Sequence, residues 1–474
     1  MSPRLPTPMY TAPGDALARR MLLVSVAYPP NSEVGSLRWT KIAQAAHTKG
    51  WTIDVILIDP ADASLRDVAL LREVPAGARL FDVPLRDLAL QRAEALVRRV
   101  VRRWRSRRVA GATRAAGAAG AAGATGAAPA GANEGHGHAA GAGTLGQLLR
   151  AYRARLHFAQ WHDWASRAAL TGVALATETP YALIASSGPP HYAHEAARRI
   201  SVTAGRPLVI DLRDPWFSDD VEPMALRGAT WRHVTSTGES SAVAQSSLVV
   251  VNTDSCRHLM IQRYPTLSDR FLTIMNGADP DVAPAQSVAT DFVISHTGSL
   301  YSGRNPRVLF RAVALVVARI GIRPGELRIH FMGDDVYDGR PLRALAAECG
   351  VGDFTTVERR RPRPEALALI QASAMVVLLP QQHVHSIPGK LFEYVQLAAW
   401  PLVIADRGSA TELLLRDSGA DVVSPDDVDG VADAIEQRFL AFRRGERPVP
   451  LNADGRFNRD RQTAKLLDAL DLLA

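Results

Sequence analysis

Lys390 and Glu393 stand three residues apart in the run Ser386-Ile387-Pro388-Gly389-Lys390-Leu391-Phe392-Glu393-Tyr394. The apolar stretch before it, Ala374-Met375-Val376-Val377-Leu378-Leu379-Pro380, predicts a buried strand, and residues 391–399 predict a helix. A Pro-Gly loop therefore joins a strand end to a helix start, with Lys390 at the join. Unpaired amides and the positive end of a helix dipole attract anions there, and the lysine adds a point charge suited to phosphate. Glu393, within the first turn, is placed to accept hydrogen bonds from sugar or ribose hydroxyls. Together these residues suggest a sugar-nucleotide site.

Other chemistry-bearing residues also follow apolar runs. Asp211-Leu212-Arg213-Asp214-Pro215-Trp216 begins at a strand end. Its Asp-Arg pair reads equally as a structural ion pair or as acceptor-side chemistry. Asp214 is the first candidate for a group near a reacting hydroxyl, with Arg213 beside it. His191 in Pro190-His191-Tyr192-Ala193-His194 is the next, against the alternative of surface histidines at a helix start. Asp334-Asp335 follows a strand at Gly333 but has the look of a Gly-Asp turn. With no Asp-x-Asp motif in convincing context, metal-independent chemistry is expected and no metal ligand is assigned. No cofactor is expected beyond the donor substrate itself.

Positioning these loops requires alternating strands and helices. Strands are predicted at residues 21–27, 51–58, 181–185, 207–211, 247–251 and 271–274, with a helix at 37–49 stopped by Gly50. After a linker at 280–290, a second series is predicted at 292–297, 327–332, 354–357, 374–379 and 401–405, with a final helix over 456–473. Strand–helix–strand repetition means parallel α/β sheets, and loops directly after parallel strands are where such sheets bind ligands. The expectation is two Rossmann-like domains facing a central cleft. A flexible N-terminus covers 1–20, an acceptor domain 21–280, a donor domain 290–445 and a C-terminal helix 455–474.

The chain has 474 residues, 47% of them apolar, and a net charge of +7. Residues 86–108 hold nine arginines against Asp87 and Glu94, so the rest of the chain is neutral overall. Leu90, Ala93, Val97, Val101 and Trp104 recur there at helical spacing, with Arg98, Arg99, Arg102, Arg105 and Arg108 on other faces. The helix reads as one lying on an anionic membrane with Trp104 at the interface, or as a packed helix with a solvated basic face. Nucleic acid is the weaker partner, because no stacking aromatics or binding module accompany the charge. Residues 110–142 are nearly all Ala and Gly and predict a disordered, protease-sensitive insertion, in which His136 and His138 read as incidental. Two distant cysteines, Cys256 and Cys349, argue against a disulfide framework. No signal-peptide pattern and no uncharged apolar run of about 18 residues appears. A cytoplasmic protein, peripheral to the inner face of a membrane if the basic helix docks there, is expected.

In their order along the chain these motifs resemble the family-four, group 1 type glycosyltransferases, which have the GT-B fold. Tyr28-Pro29-Pro30 to Gly35 resembles the loop that faces the donor diphosphate in that family. Asn276-Gly277-Ala278-Asp279 resembles its element at the domain junction. His296-Thr297-Gly298-Ser299-Leu300 resembles the strand and glycine turn that open the nucleotide domain, and Pro388 to Tyr394 a variant of the donor motif. The resemblance implies that Glu393 binds the donor ribose and that Arg304 stands where the family holds the diphosphate. It also implies transfer with retention by substrate-assisted attack on the same face. Where the family often carries a second glutamate, eight residues before Glu393, this chain has His385. The resemblance thus implies transfer from a nucleoside-diphosphate sugar to a glycan or lipid-linked acceptor in surface polysaccharide or glycolipid assembly. The rivals are a non-catalytic GT-B scaffold holding a partner transferase, motivated by His385, and a sugar-nucleotide 2-epimerase.

Overall fold

The computed structural model describes residues 6–63, 65–92, 94, 144–217, 228–279, 289–300 and 303–474. Most of the arginine-rich stretch and all of the Ala/Gly insertion lie outside these residues, as does most of the 280–290 linker.

Eight strands form the first sheet: β1 (Tyr10–Thr11), β2 (Arg19–Ser25), β3 (Trp51–Ile58), β4 (Arg79–Val83), β5 (Leu183–Gly188), β6 (Leu208–Leu212), β7 (Leu248–Val251) and β8 (Phe271–Thr273). Their spatial order is β1-β4-β3-β2-β5-β6-β7-β8, parallel throughout except for the β1–β4 pair. Parallel sheets are covered on both faces, which is why β3 is buried from end to end. Side chains alternate between the faces. Leu22, Val24, Ile184 and Ile210 pack under the helices Thr144–Glu178 and Tyr192–Ala204. Leu23, Val55, Leu183 and Val209 pack under Trp39 and Ile42 of the helix Val34–Thr48. Asp54 is tolerated inside β3 because Arg20, Arg79 and the Tyr181 hydroxyl all donate to it. A buried carboxylate persists only when paired in this way.

The second sheet holds β9 (Phe292–Gly298), β10 (Leu327–Gly333), β13 (Thr355–Arg359), β14 (Met375–Leu378), β15 (Trp400–Ile404) and β16 (Asp421–Val423), in the order β13-β10-β9-β14-β15-β16 and all parallel. A small hairpin, β11 (Val336–Tyr337) with β12 (Arg340–Pro341), stands apart. Numbered from β9, the order is the doubly wound 3-2-1-4-5-6, and the run from β4 to β7 repeats it in the first sheet. In this topology the order reverses between β9 and β14, and between β2 and β5. Sheets of this topology bind their ligands at the carboxyl ends of the strands flanking such a reversal.

Several elements depart from expectation. Tyr10–Thr11 and Arg19–Arg20, within the segment expected to be flexible, are strand residues. The helix expected over 391–399 spans only Leu391–Tyr394. The Val395 carbonyl accepts from the Asn452 amide at 2.9 Å, so the helical ladder does not continue through it, and β15 starts at Trp400. The final helix, Arg459–Asp471, belongs spatially to the first domain. Its Leu466, Leu467 and Leu470 join the core beneath β2 and β3, and Lys49 and Arg19 pair with its Asp468 and Asp471.

Candidate functional site

The carboxyl end of β9 delivers Gly298, and the loop after β14 returns Lys390 to it. Lys390 Nζ donates to the Thr297 carbonyl and fills the space beside Gly298. A Cβ at Gly298 would fall 1.6 Å from that nitrogen, and the φ of +109° there also favours glycine. Burial pushes the Lys390 ammonium down to about 8, and Arg304 and Arg360 nearby press in the same direction, with Glu393 opposing. Arg304 donates to the Ser299 carbonyl at 3.2 Å, and Arg360 to the Ser299 hydroxyl at 2.9 Å. Asp334 braces this turn by accepting from the Leu300 amide at 3.0 Å, and Asp335 pairs with Arg359.

Three cations, Lys390, Arg304 and Arg360, thus gather at one strand end. The amides of Leu391, Phe392 and Glu393 already donate to the Pro388, Gly389 and Lys390 carbonyls. With a single helical turn behind it, the loop offers an anion the charge of Lys390 more than a helix dipole. Glu393 Oε1 accepts from Arg363 at 2.8 Å, which orients the carboxylate one turn beyond the lysine. Arg360 and Arg363 were missed in the sequence, because an Arg-rich stretch after β13 reads as a solvated surface.

His296 runs through the same strand end. Its Nδ1 lies 3.0 Å from the Val377 carbonyl, which can only accept, so Nδ1 carries the proton. Burial holds this ring neutral, near 3, and Lys390 adds to the effect.

In the first domain Gly35, Arg213, Asp214 and His191 come together. Arg213 donates to the Gly188 carbonyl at 3.2 Å and to the Pro189 carbonyl, and its guanidinium lies where a Cβ on Gly35 would be, 1.8 Å from Nη1. Burial raises the Asp214 carboxyl, with Arg213 opposing. Asp211 is the structural half of that motif, and its partner is Arg38 rather than Arg213. It is buried, paired to Arg38 at 3.0 Å, and accepts from Trp39 Nε1 at 2.8 Å and Ser187 Oγ at 3.0 Å. His191 and His194 are buried, not surface residues, and Trp216 stacks on His191 with ring centres 5.1 Å apart.

His385 connects the two groups of loops. Its Nδ1 is 2.8 Å from Ser255 Oγ, and its carbonyl accepts from Thr253 Oγ1 at 2.7 Å, both just past the carboxyl end of β7. At the other side of the junction Asn276 Oδ1 accepts from Arg38 at 3.1 Å, and Asp279 pairs with Arg459 at 2.6 Å. A Cβ on Gly277 would lie 2.4 Å from the Arg459 backbone, so this crossing of the chain requires glycine.

A family model described as "Glycosyl transferases group 1" matches residues 291–439, the span of the second sheet and its helices. Those residues are similar to a group 1 glycosyltransferase domain. Among curated relatives, D-inositol 3-phosphate glycosyltransferases of Stackebrandtia nassauensis and Catenulispora acidiphila are each 29% identical, over 153 and 163 residues. These matches cover 29% and 30% of this chain and span 34% and 37% of those relatives, about a third of their length. Among solved structures, sucrose-phosphate synthase from Thermosynechococcus elongatus is 15% identical with a TM-score of 0.56, covering 96% of this chain and 99% of that one. Anabaena HepE in complex with UDP and glucose is likewise 15% identical, with a TM-score of 0.56 over 96% of this chain and 100% of its own. The two-domain α/β arrangement is the GT-B fold, and the residues matched by the group 1 model make up its second half. Lys390, Arg304, Arg360 and Glu393 all lie inside that domain.

Proposed function

We propose that the protein is a glycosyltransferase that moves a sugar from a nucleoside-diphosphate sugar to an acceptor hydroxyl. The observation that carries this reading is Lys390, folded back onto Gly298 at the strand-order reversal of a group 1 domain, with Arg304 and Arg360 beside it. The lysine and arginines would hold the diphosphate and neutralise the charge that grows on it as the glycosidic bond breaks, which is the main electrostatic task of such a transfer. Glu393, held by Arg363, would take the donor ribose. His191, Asp214 and Arg213, on the opposite domain, would face the transferred sugar and the incoming hydroxyl, with Gly35 making room for the Arg213 guanidinium. Gly298, Ser299, Pro388 and Gly389 would shape the phosphate end, and His385 would border the sugar.

Retention of configuration and metal independence remain part of the proposal, as do a role in surface polysaccharide or glycolipid assembly and a position at the inner face of a membrane. UDP is the first nucleotide to test, because the Anabaena relative is described in complex with UDP. Lys390→Ala should weaken UDP binding by about 10- to 100-fold, the worth of a charge-assisted contact, while thermal unfolding of the free protein changes little. Nucleotide binding with no turnover of any donor, together with capture of a partner protein, would favour the scaffold. Interconversion of a donor without acceptor would favour the epimerase.

A further inference from the structure

Behind His191 three polar side chains stand in a row. Ser186 Oγ lies 2.9 Å from His194 Nδ1, and His194 Nε2 lies 3.3 Å from His191 Nδ1. All three residues are buried, Ser186 and His194 fully so. At the far end His191 Nε2 is buried and has no hydrogen-bond partner among the described residues. The row is built in. His191 caps the helix Tyr192–Ala204, and three residues on, His194 falls on the same face. Gly188 leaves room for both rings, since a Cβ there would lie 2.7 Å from His194 Nε2 and 2.8 Å from His191 Nδ1. Trp216 closes the other side of the pair.

Burial keeps both rings neutral, so each carries one proton. The direction of the row follows from Ser186. Its hydroxyl has one proton to donate, and its one hydrogen-bond partner among the described residues is His194 Nδ1. Were that nitrogen protonated, the serine O–H and the His191 Nε2 lone pair would both be left buried and unpaired, whereas with the serine donating only the His191 N–H is, so the second arrangement costs less. Ser186 therefore donates. His194 then carries its proton on Nε2 and donates to His191 Nδ1, and His191 carries its proton on Nε2.

We propose that Ser186 and His194 are positioning residues that fix His191 as an Nε2–H donor, reserved for an oxygen of the bound sugar or acceptor. The identity of that oxygen rests on the glycosyltransferase reading, whereas the tautomer does not. Such a donor would reject a ligand lacking the matching oxygen, because the N–H would stay buried and unpaired.

The experiment is a long-range proton–nitrogen NMR spectrum of the full chain labelled with 15N-histidine, with His191 assigned by the signals lost in His191→Gln. The expected result is His191 protonated at Nε2, favoured by about fivefold or more over the other tautomer. Ser186→Ala should collapse that preference towards a mixture. His194→Gln, whose amide can still donate to His191 Nδ1, should retain it, and His194→Phe should not. His191 protonated at Nδ1 in the unaltered protein would overturn the proposal even if no variant folds, and so would a preference unchanged in Ser186→Ala. Failure of the glycosyltransferase reading would show separately, as absence of UDP binding with the tautomer intact.

Discussion

Lys390 has the most work to do of any residue here, and its ionisation makes that work visible. In the free protein its ammonium is held at about 8, below the ordinary lysine value of about 10.4, mainly by burial. Diphosphate binding at the proposed site would use the charged form. UDP affinity is therefore expected to hold up to pH ~8 and to fall above it as the lysine loses its proton. Lys390→Arg keeps its charge at every accessible pH, so its affinity should show no such bend in calorimetric titrations run from pH 7 to pH 9.5. The stability of the unliganded protein moves the other way. The unfolded chain binds the proton more tightly than the folded one between pH ~8 and ~10.4, so this residue's contribution to stability rises with pH across that window. A second residue-scale expectation concerns Gly298. Gly298→Ala would force its methyl onto Lys390 Nζ at a backbone angle unfavourable to alanine, and UDP binding should drop at least as far as in Lys390→Ala.

At the scale of elements, the C-terminal helix Arg459–Asp471 fastens the end of the chain to the first domain. Leu467 is 1% exposed in the core it shares with β2 and β3. Leu467→Ala should cost about 2–5 kcal/mol, read as a lower urea midpoint with an unchanged slope. The buried parallel strands were legible in the sequence because apolar runs such as Val55–Ile58 and Met375–Leu378 have no other place to go. Other elements hid their signal. β4, Arg-Leu-Phe-Asp-Val, mixes charge into a short run because Arg79 turns inward to Asp54, a pairing visible only in three dimensions. β16 is three residues long, and the helix Thr144–Glu178 begins directly after the Ala/Gly stretch that masks its start. The donor loop was legible as a motif, but its helix was overdrawn, because residues 395–399 pack as irregular turns rather than helix. At the acceptor end the sequence marked Arg213, Asp214 and His191. It did not reveal that Asp211 is committed to Arg38 and Trp39, since those partners lie more than 170 positions away.

At the scale of the whole molecule, two sheets of the same winding present their carboxyl ends to a shared junction. His385 reaches from the donor loop to Ser255, and Arg459 to Asp279. The His385 ring is occupied by the other domain. His385→Ala should remove one cross-domain hydrogen bond, worth about 1 kcal/mol of stability, and should weaken UDP far less than Lys390→Ala does. A UDP loss equal to that of Lys390→Ala would instead place His385 on the nucleotide.

The glycosyltransferase reading stands on a nucleoside diphosphate binding at Lys390. A thermal-unfolding series of the full chain and of Lys390→Ala, each with UDP, GDP, ADP and their glucose conjugates, tests this directly. Saturation at 100 times the dissociation constant should stabilise the unaltered protein by about 2.7 kcal/mol, a rise of a few degrees, for one nucleotide series. That rise should be lost or much reduced in Lys390→Ala at the same ligand concentration. No rise with any nucleotide, or an equal rise in the variant, would contradict the donor site described here.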